Sequence, residues 1–148
     1  MEVVHQEPFR AGSFGDPTGT ETYTQDVAAE RIYKRNGITN VRRDIQLAEI
    51  YEPSNWEEMS LYEHFHFCEK GEGWKLVEKG ITEIEGEFPV NCSGGVIATN
   101  PIGATPVIRV AEAALQIRGD AGEHQAPRRG RPGASVAPER PQGVSGPD

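Results

Sequence analysis

The sequence predicts an α/β domain built in layers, and three stretches carry that prediction. Residues 45–51 (IQLAEIY) alternate apolar and polar side chains, the mark of a strand with one buried face. Pro53 and Ser54 follow, with Glu57 three positions after the serine, so a capping box opens a helix over about 55–67. Residues 90–119 run from the end of a short buried strand, through a glycine-punctuated turn over 94–105, into a helix over 106–118.

Taken in order, residues 2–5 (EVVH) read as a strand and residues 8–20 as a loop rich in glycine and proline. An amphipathic helix over about 25–35 offers Val27, Ala28, Ile32 and Tyr33 to a core, and Asn36-Gly37 stops it. The helix over 55–67 draws its buried stripe from Trp56, Met59, Leu61, Tyr62 and Phe65. After a turn at 68–73, residues 74–90 hold short apolar pieces split by Gly80, Gly86 and Pro89, which reads as small hairpin strands. Thr105 can N-cap the last helix, with Pro106 at its first position and Gly119 as its left-handed stop. Val107, Val110, Ala114 and Ile117 share one face of it, and Ile108, Ala111 and Leu115 the neighbouring one. A helix so apolar is expected inside a layered core, with protein on most sides.

The chain of 148 residues is long enough to bury one core. A net charge of −8 argues against nonspecific nucleic-acid binding, which needs basic surface to displace counterions. Two cysteines, Cys68 and Cys92, make no disulfide framework, and no apolar run is long enough for a membrane span, so a cytoplasmic protein is the expectation. The character changes after Gln125. Residues 126–148 hold five prolines, four glycines and no aromatic residue, too little apolar surface to offset chain entropy. The expected division is a folded domain over 1–125 and a disordered tail over 126–148.

The pattern N-x-S-G-G (Asn91 to Gly95), then Asn100-Pro101-Ile102-Gly103-Ala104-Thr105 and a small-residue helix ending in Gln116-Ile117-Arg118-Gly119, resembles the C-terminal half of the thiolase superfamily. The likeness is to the sterol-carrier and lipid-transfer branch, and with F-C-x-K-G-E-G at 67–73 it covers most of 1–125. It implies a mixed sheet with helices on its faces, the helix over 106–118 being one of the central helices packed between two halves. The family's last two strands are missing from this chain, where a shifted reading frame or a natural remnant would account for the tail. The implied function is carbon–carbon bond formation or cleavage on acyl-CoA thioesters, with the thioester as substrate and no resident cofactor. A retro-aldolase subunit of steroid or lipid side-chain breakdown and a noncatalytic acyl-CoA-binding module are the alternatives. The implied partners are acyl-CoA, a thiolase N-terminal half or further copies of the chain, and an OB-fold subunit. The isolated chain is expected to be inactive, and to be poorly stable or self-associating.

The family reads G-H-P where this chain reads Thr99-Asn100-Pro101, so the position of its catalytic histidine is Asn100. An asparagine donates a hydrogen bond to an oxyanion but is no base near neutral pH. Either Asn100 polarises a thioester oxygen or it merely stabilises the turn before Pro101. Tyr51 stands where the branch usually has another histidine. It either orients a thioester carbonyl, serves as acid/base in a retro-aldol step, or is a strand-end aromatic with its hydroxyl in water. Ser93, Gly94, Gly95 and Gly103 are the implied substrate-binding positions, their small size letting the thioester approach the backbone. His64, His66 and Cys68 lack the second ligand pair of a zinc site and read as helix-end residues. Gly94-Gly95 lacks the Lys-Ser/Thr of a phosphate loop, and Cys92 reads as a small packed residue rather than a nucleophile.

Overall fold

A computed structural model describes residues 24–127. Its elements are α1 (Thr24–Asn36), α2 (Val41–Asp44), α3 (Asn55–His64), α4 (Gly73–Glu78), α5 (Gly95–Ala98) and α6 (Thr105–Arg118), with a 3₁₀ turn at Gly122–His124. The expected strand at 2–5, the loop at 8–20 and the tail from 128 onward lie outside the described residues.

Ser54 caps α3 as the sequence predicts, its hydroxyl accepting the Glu57 N–H at 3.2 Å. The helix ends at His64, three residues sooner than expected, because His66 takes the left-handed conformation (φ 56°). The Phe67 N–H then reaches back to the Tyr62 carbonyl at 2.8 Å, and that reversal drives the Phe67 ring inward. Phe67 meets Phe88 edge-on with ring centroids 4.7 Å apart, and Tyr62 and Phe65 flank it. Val41, Ile50, Leu61, Leu76 and Val90 complete this core. Of the expected α3 stripe, Leu61 and Tyr62 are buried, Met59 and Phe65 partly so, and Trp56 is exposed.

Two strand expectations are corrected. Residues 73–78 form α4 rather than a hairpin strand. Gly73 lies directly against the Met59 carbonyl, where any Cβ would collide, and this close approach seats α4 on α3. Gly80 (φ 62°) terminates α4, and the Ile81 N–H returns to the Leu76 carbonyl. Residues 45–51 are extended but carry a single parallel bridge, Ala48 to Val90, so among the described residues the mixed sheet is not formed. The ladder stops for a local reason. Asn91 turns into the left-handed region (φ 53°), and its side-chain oxygen, not a main-chain carbonyl, accepts the Ile50 N–H at 2.8 Å.

The expectation for α6 is also corrected: it lies polar side in. Thr105, Arg109, Glu112 and Gln116 are buried, whereas Val107, Val110 and Ile117 are 70, 71 and 77 % exposed. Thr105 is the first helical residue rather than the cap, and Gly119 (φ 79°) ends the helix as predicted.

Phe88, fully buried at the centre of the aromatic cluster, sets the test of this core. Phe88→Ala is expected to cost about 3–5 kcal/mol, a large share of a small domain's stability. Urea denaturation followed by circular dichroism measures it, and a loss below about 1 kcal/mol contradicts the packing described.

Candidate functional site

The candidate site is the segment from Asn91 to Thr105 and the extended chain beside it at 48–52. Ser93 is the hub of its inner side. The Ser93 hydroxyl donates to Glu49 Oε2 at 3.0 Å and accepts from Arg109 Nη1 at 2.7 Å. Arg109 Nη1 also pairs with Glu49 Oε2 at 3.0 Å, and both side chains are almost wholly buried. Further along α6, Glu112 meets His124 Nε2 at 2.8 Å, and Gln116 binds the His124 carbonyl at 2.7 Å. Gln116 Oε1 accepts the Ala126 N–H at 2.9 Å, so the chain just beyond the 3₁₀ turn is fastened to the same helix face.

Gly94 is exposed with φ 88°, whereas Gly95 is buried with φ 63° and packs against the Glu52 carboxylate and the Asn91 amide. Glu52 is 1 % exposed. Its Oε1 accepts the Val96 N–H at 2.6 Å and the Ile97 N–H at 3.4 Å, so a carboxylate of the chain itself holds the start of α5. Burial pushes the Glu52 carboxyl above its ordinary value, against the pull of those two amides. Burial likewise raises Glu49, opposed by Ser93 and Arg109.

Asn100 is exposed, but its side chain is oriented. Oδ1 accepts the Ile102 N–H at 3.1 Å and the Thr105 hydroxyl at 2.9 Å, so the donor end of the amide points away from the turn. Ile102 holds φ 43°, a costly conformation for a β-branched residue, at about 1–2 kcal/mol. Gly103 faces open space. Tyr51 is 40 % exposed, between the buried Ile50 and Glu52. Burial first, then the Glu49 charge, raises the Cys92 thiol to about 11, which leaves it a poor nucleophile. Cys68 is raised to about 11 as well, by burial and neighbouring glutamates. His64 and His66 both turn to Asp26 of α1, at 3.0 and 3.6 Å.

The residues that organise the site are ones the sequence reading passed over: Glu49, Glu52, Arg109 and Glu112. A signal existed for part of them. Thr105, Arg109, Glu112 and Gln116 recur at helical spacing as one polar stripe, which reads equally as a solvent face.

Residues 13–136 match the family described as thiolase C-terminal domain-like. The chain belongs to this family. It is similar to human (Homo sapiens) sterol carrier protein 2, 35 % identical over 120 residues, which is 80 % of this chain and 21 % of that protein. It is 42 % identical over 99 residues to the acetyl-CoA acetyltransferase of Methanothermobacter thermautotrophicus, 66 % of this chain and 25 % of that enzyme. A benzoylsuccinyl-CoA thiolase subunit of Thauera aromatica is 30 % identical over 91 residues, 61 % of this chain and 23 % of that subunit. The chain thus spans a fifth to a quarter of the length of these relatives. Within this thiolase-type domain the N-x-S-G-G segment is clamped from beneath by Glu49 and Arg109, and from beside by Glu52.

The raised Glu52 carboxyl has a definite pH signature. A folded-state value above the unfolded one means that the native state binds more protons, so this group's contribution to stability falls as pH rises from about the usual 4.5 through its folded value. Glu52→Gln keeps an oxygen for the Val96 amide and removes the titration. The stability of Glu52→Gln relative to the natural chain should therefore rise across that window and level off above it. A difference that is flat from pH 4 to 8 contradicts the assignment.

Proposed function

We propose that this chain supplies the C-terminal part of an acyl-CoA site for carbon–carbon bond formation or cleavage, and that it works only when another polypeptide covers α6. The observation that carries the proposal is the helix itself. Thr105, Arg109, Glu112 and Gln116 are turned inward, and Val107, Val110 and Ile117 form an outward apolar stripe; Ile97 and Ile102, earlier in the chain, are exposed as well. A contiguous apolar surface of this kind marks a protein contact. A thiolase N-terminal half is the partner favoured by family membership, with further copies of the chain as the alternative cover.

In such a complex Asn100 holds the oxygen that gains negative charge as the thioester enolate forms. Its outward amide donor, fixed by Ile102 and Thr105, suits that role, and removal of one oxyanion donor typically costs about 10²–10³-fold in turnover. It supplies no base. Acyl transfer through cysteine then depends on a nucleophile from the partner, since Cys92 and Cys68 are both raised to about 11. A second reading, retro-aldol cleavage, is favoured by Tyr51. There the Tyr51 oxygen, as phenolate, takes the proton of a β-hydroxyl, the β-oxygen becomes the carbonyl of the released product, and the electron pair of the breaking carbon–carbon bond passes into the enolate held by Asn100. An OB-fold acyl-CoA-binding subunit is compatible with either reaction.

The chain alone should not cleave acetoacetyl-CoA with free CoA. With a thiolase N-terminal half bound, Asn100→Ala should lower turnover of the acyl-CoA substrate by about 10²–10³-fold with little change in KM, and Cys92→Ala should leave it unchanged. Thioester cleavage by the isolated chain that disappears in Cys92→Ala would overturn the proposal, as would full turnover in Asn100→Ala.

A further inference from the structure

Tyr51 is held by its two neighbours, and each neighbour is fixed by a residue more than forty positions away. On one side, the Ile50 N–H is bound by Asn91 Oδ1 at 2.8 Å, and Ile50 itself is buried in the core. Two residues earlier, Ala48 exchanges hydrogen bonds with Pro89 and Asn91 at 3.0 and 2.8 Å. On the other side, the Glu52 side chain turns inward and grips the Val96 N–H. Successive side chains on extended backbone point to opposite sides, so an inward Glu52 turns Tyr51 outward. Neither Glu52 nor Asn91 is fully satisfied by these bonds. Glu52 Oε2 and Asn91 Nδ2 are buried without a hydrogen-bond partner among the described residues. A buried polar atom left in this state costs about 1–3 kcal/mol. A leucine at 52 would fill the same space but leave the Val96 and Ile97 amides without this acceptor, so the carboxylate is there for its bonds and not for packing alone.

We infer that Glu52 is a positioning residue, acting with Asn91 to fix the chain at Tyr51, and with it the outward direction of the phenol, relative to the start of α5. This rests on the reading of Tyr51 as a group of the acyl-CoA site. The arrangement has three parts that require one another. Gly95 must lack a side chain, because a Cβ would strike Glu52 Oε1 and crowd Asn91 Nδ2. Asn91 must accept from Ile50 while in the left-handed conformation, which asparagine tolerates better than most residues. Glu52 must be long enough to reach the Val96 amide. Together they join the chain carrying Tyr51 to the turn that leads into Asn100, so the two candidate groups are set on one rigid support. The Val96 and Ile97 amides are in consequence occupied by the chain's own carboxylate, and a bound thioester would have to find its donors elsewhere, at Asn100 and Tyr51.

The test uses the full chain labelled with 3-fluorotyrosine, whose four tyrosines give separate ¹⁹F signals. Tyr51→Phe identifies the signal of Tyr51, and buried Tyr62 serves as an internal control. In Glu52→Ala the Tyr51 signal should move to the position of free fluorotyrosine while that of Tyr62 stays in place. In Glu52→Gln, which keeps an acceptor for Val96, the Tyr51 signal should remain where the natural chain has it. An unmoved Tyr51 signal in Glu52→Ala overturns the inference, and so does loss of its native position in Glu52→Gln with Tyr62 unchanged. Should Glu52→Ala shift Tyr62 as well, the natural chain decides. Its Tyr51 amide should show a ¹⁵N heteronuclear NOE as high as that of Tyr62, and a value typical of a mobile loop overturns the inference. Acetyl-CoA added to the labelled chain, in complex with a thiolase N-terminal half, separates the two proposals. A rigid Tyr51 that does not respond to acetyl-CoA removes the functional reading and leaves the positioning intact.

Discussion

The buried pair of Arg109 with Glu49 is the interaction on which the rest of this domain depends. Arg109 comes from α6, Glu49 from the extended chain at 45–51, and Ser93 from the N-x-S-G-G segment, and one guanidinium nitrogen touches both partners. The side chains are 6 and 1 % exposed, so neither charge is left to water. Such a pair gains little over a well-packed apolar one, but losing either member strands the other, at about 3–5 kcal/mol. Its value here is orientation. Once Arg109 is committed to Glu49, the face of α6 bearing Glu112 and Gln116 must also turn inward, and those two find partners in His124, Gln125 and Ala126.

That commitment leaves α6 built the reverse way for a free surface. The face without charges, from Val107 through Val110 to Ile117, is turned outward, next to the turn that holds Asn100. Surface of this kind is costly to leave in water, at about 25 cal/mol for each Å² of apolar area. The placement of the candidate groups agrees with such a design. Asn100, Gly103 and Tyr51 are exposed, whereas the groups that hold them, Glu49, Glu52, Asn91 and Thr105, have their side chains buried. The scaffold is thus closed on its inner side, with its candidate groups at the surface.

Local signals in the sequence were sufficient wherever the physics is local. The Ser54 cap, the stop at Asn36-Gly37 and the left-handed Gly119 each depend on atoms a few residues apart, and each is found. The family was legible for the same reason, since its marks are contiguous turns. The misread elements depend on distant partners. Residues 73–78 look like a strand until Gly73 is seen to sit against the Met59 carbonyl. The polar stripe of α6 looks like a solvent face until Glu49, sixty residues earlier, is placed against Arg109. The role of Glu52 gives no local signal, because what it binds are main-chain amides forty-four and forty-five residues further on.

The central claim is that α6 faces the core with its charges and the outside with its valines. The most direct measurement is the urea midpoint of Val110→Asp at low protein concentration. Val110 is 71 % exposed, so the predicted change lies within about 0.5 kcal/mol, the ordinary effect of a surface substitution. A loss of several kcal/mol, as expected for an unpaired carboxylate forced into a core, would contradict the orientation of the helix and the assembly surface inferred from it.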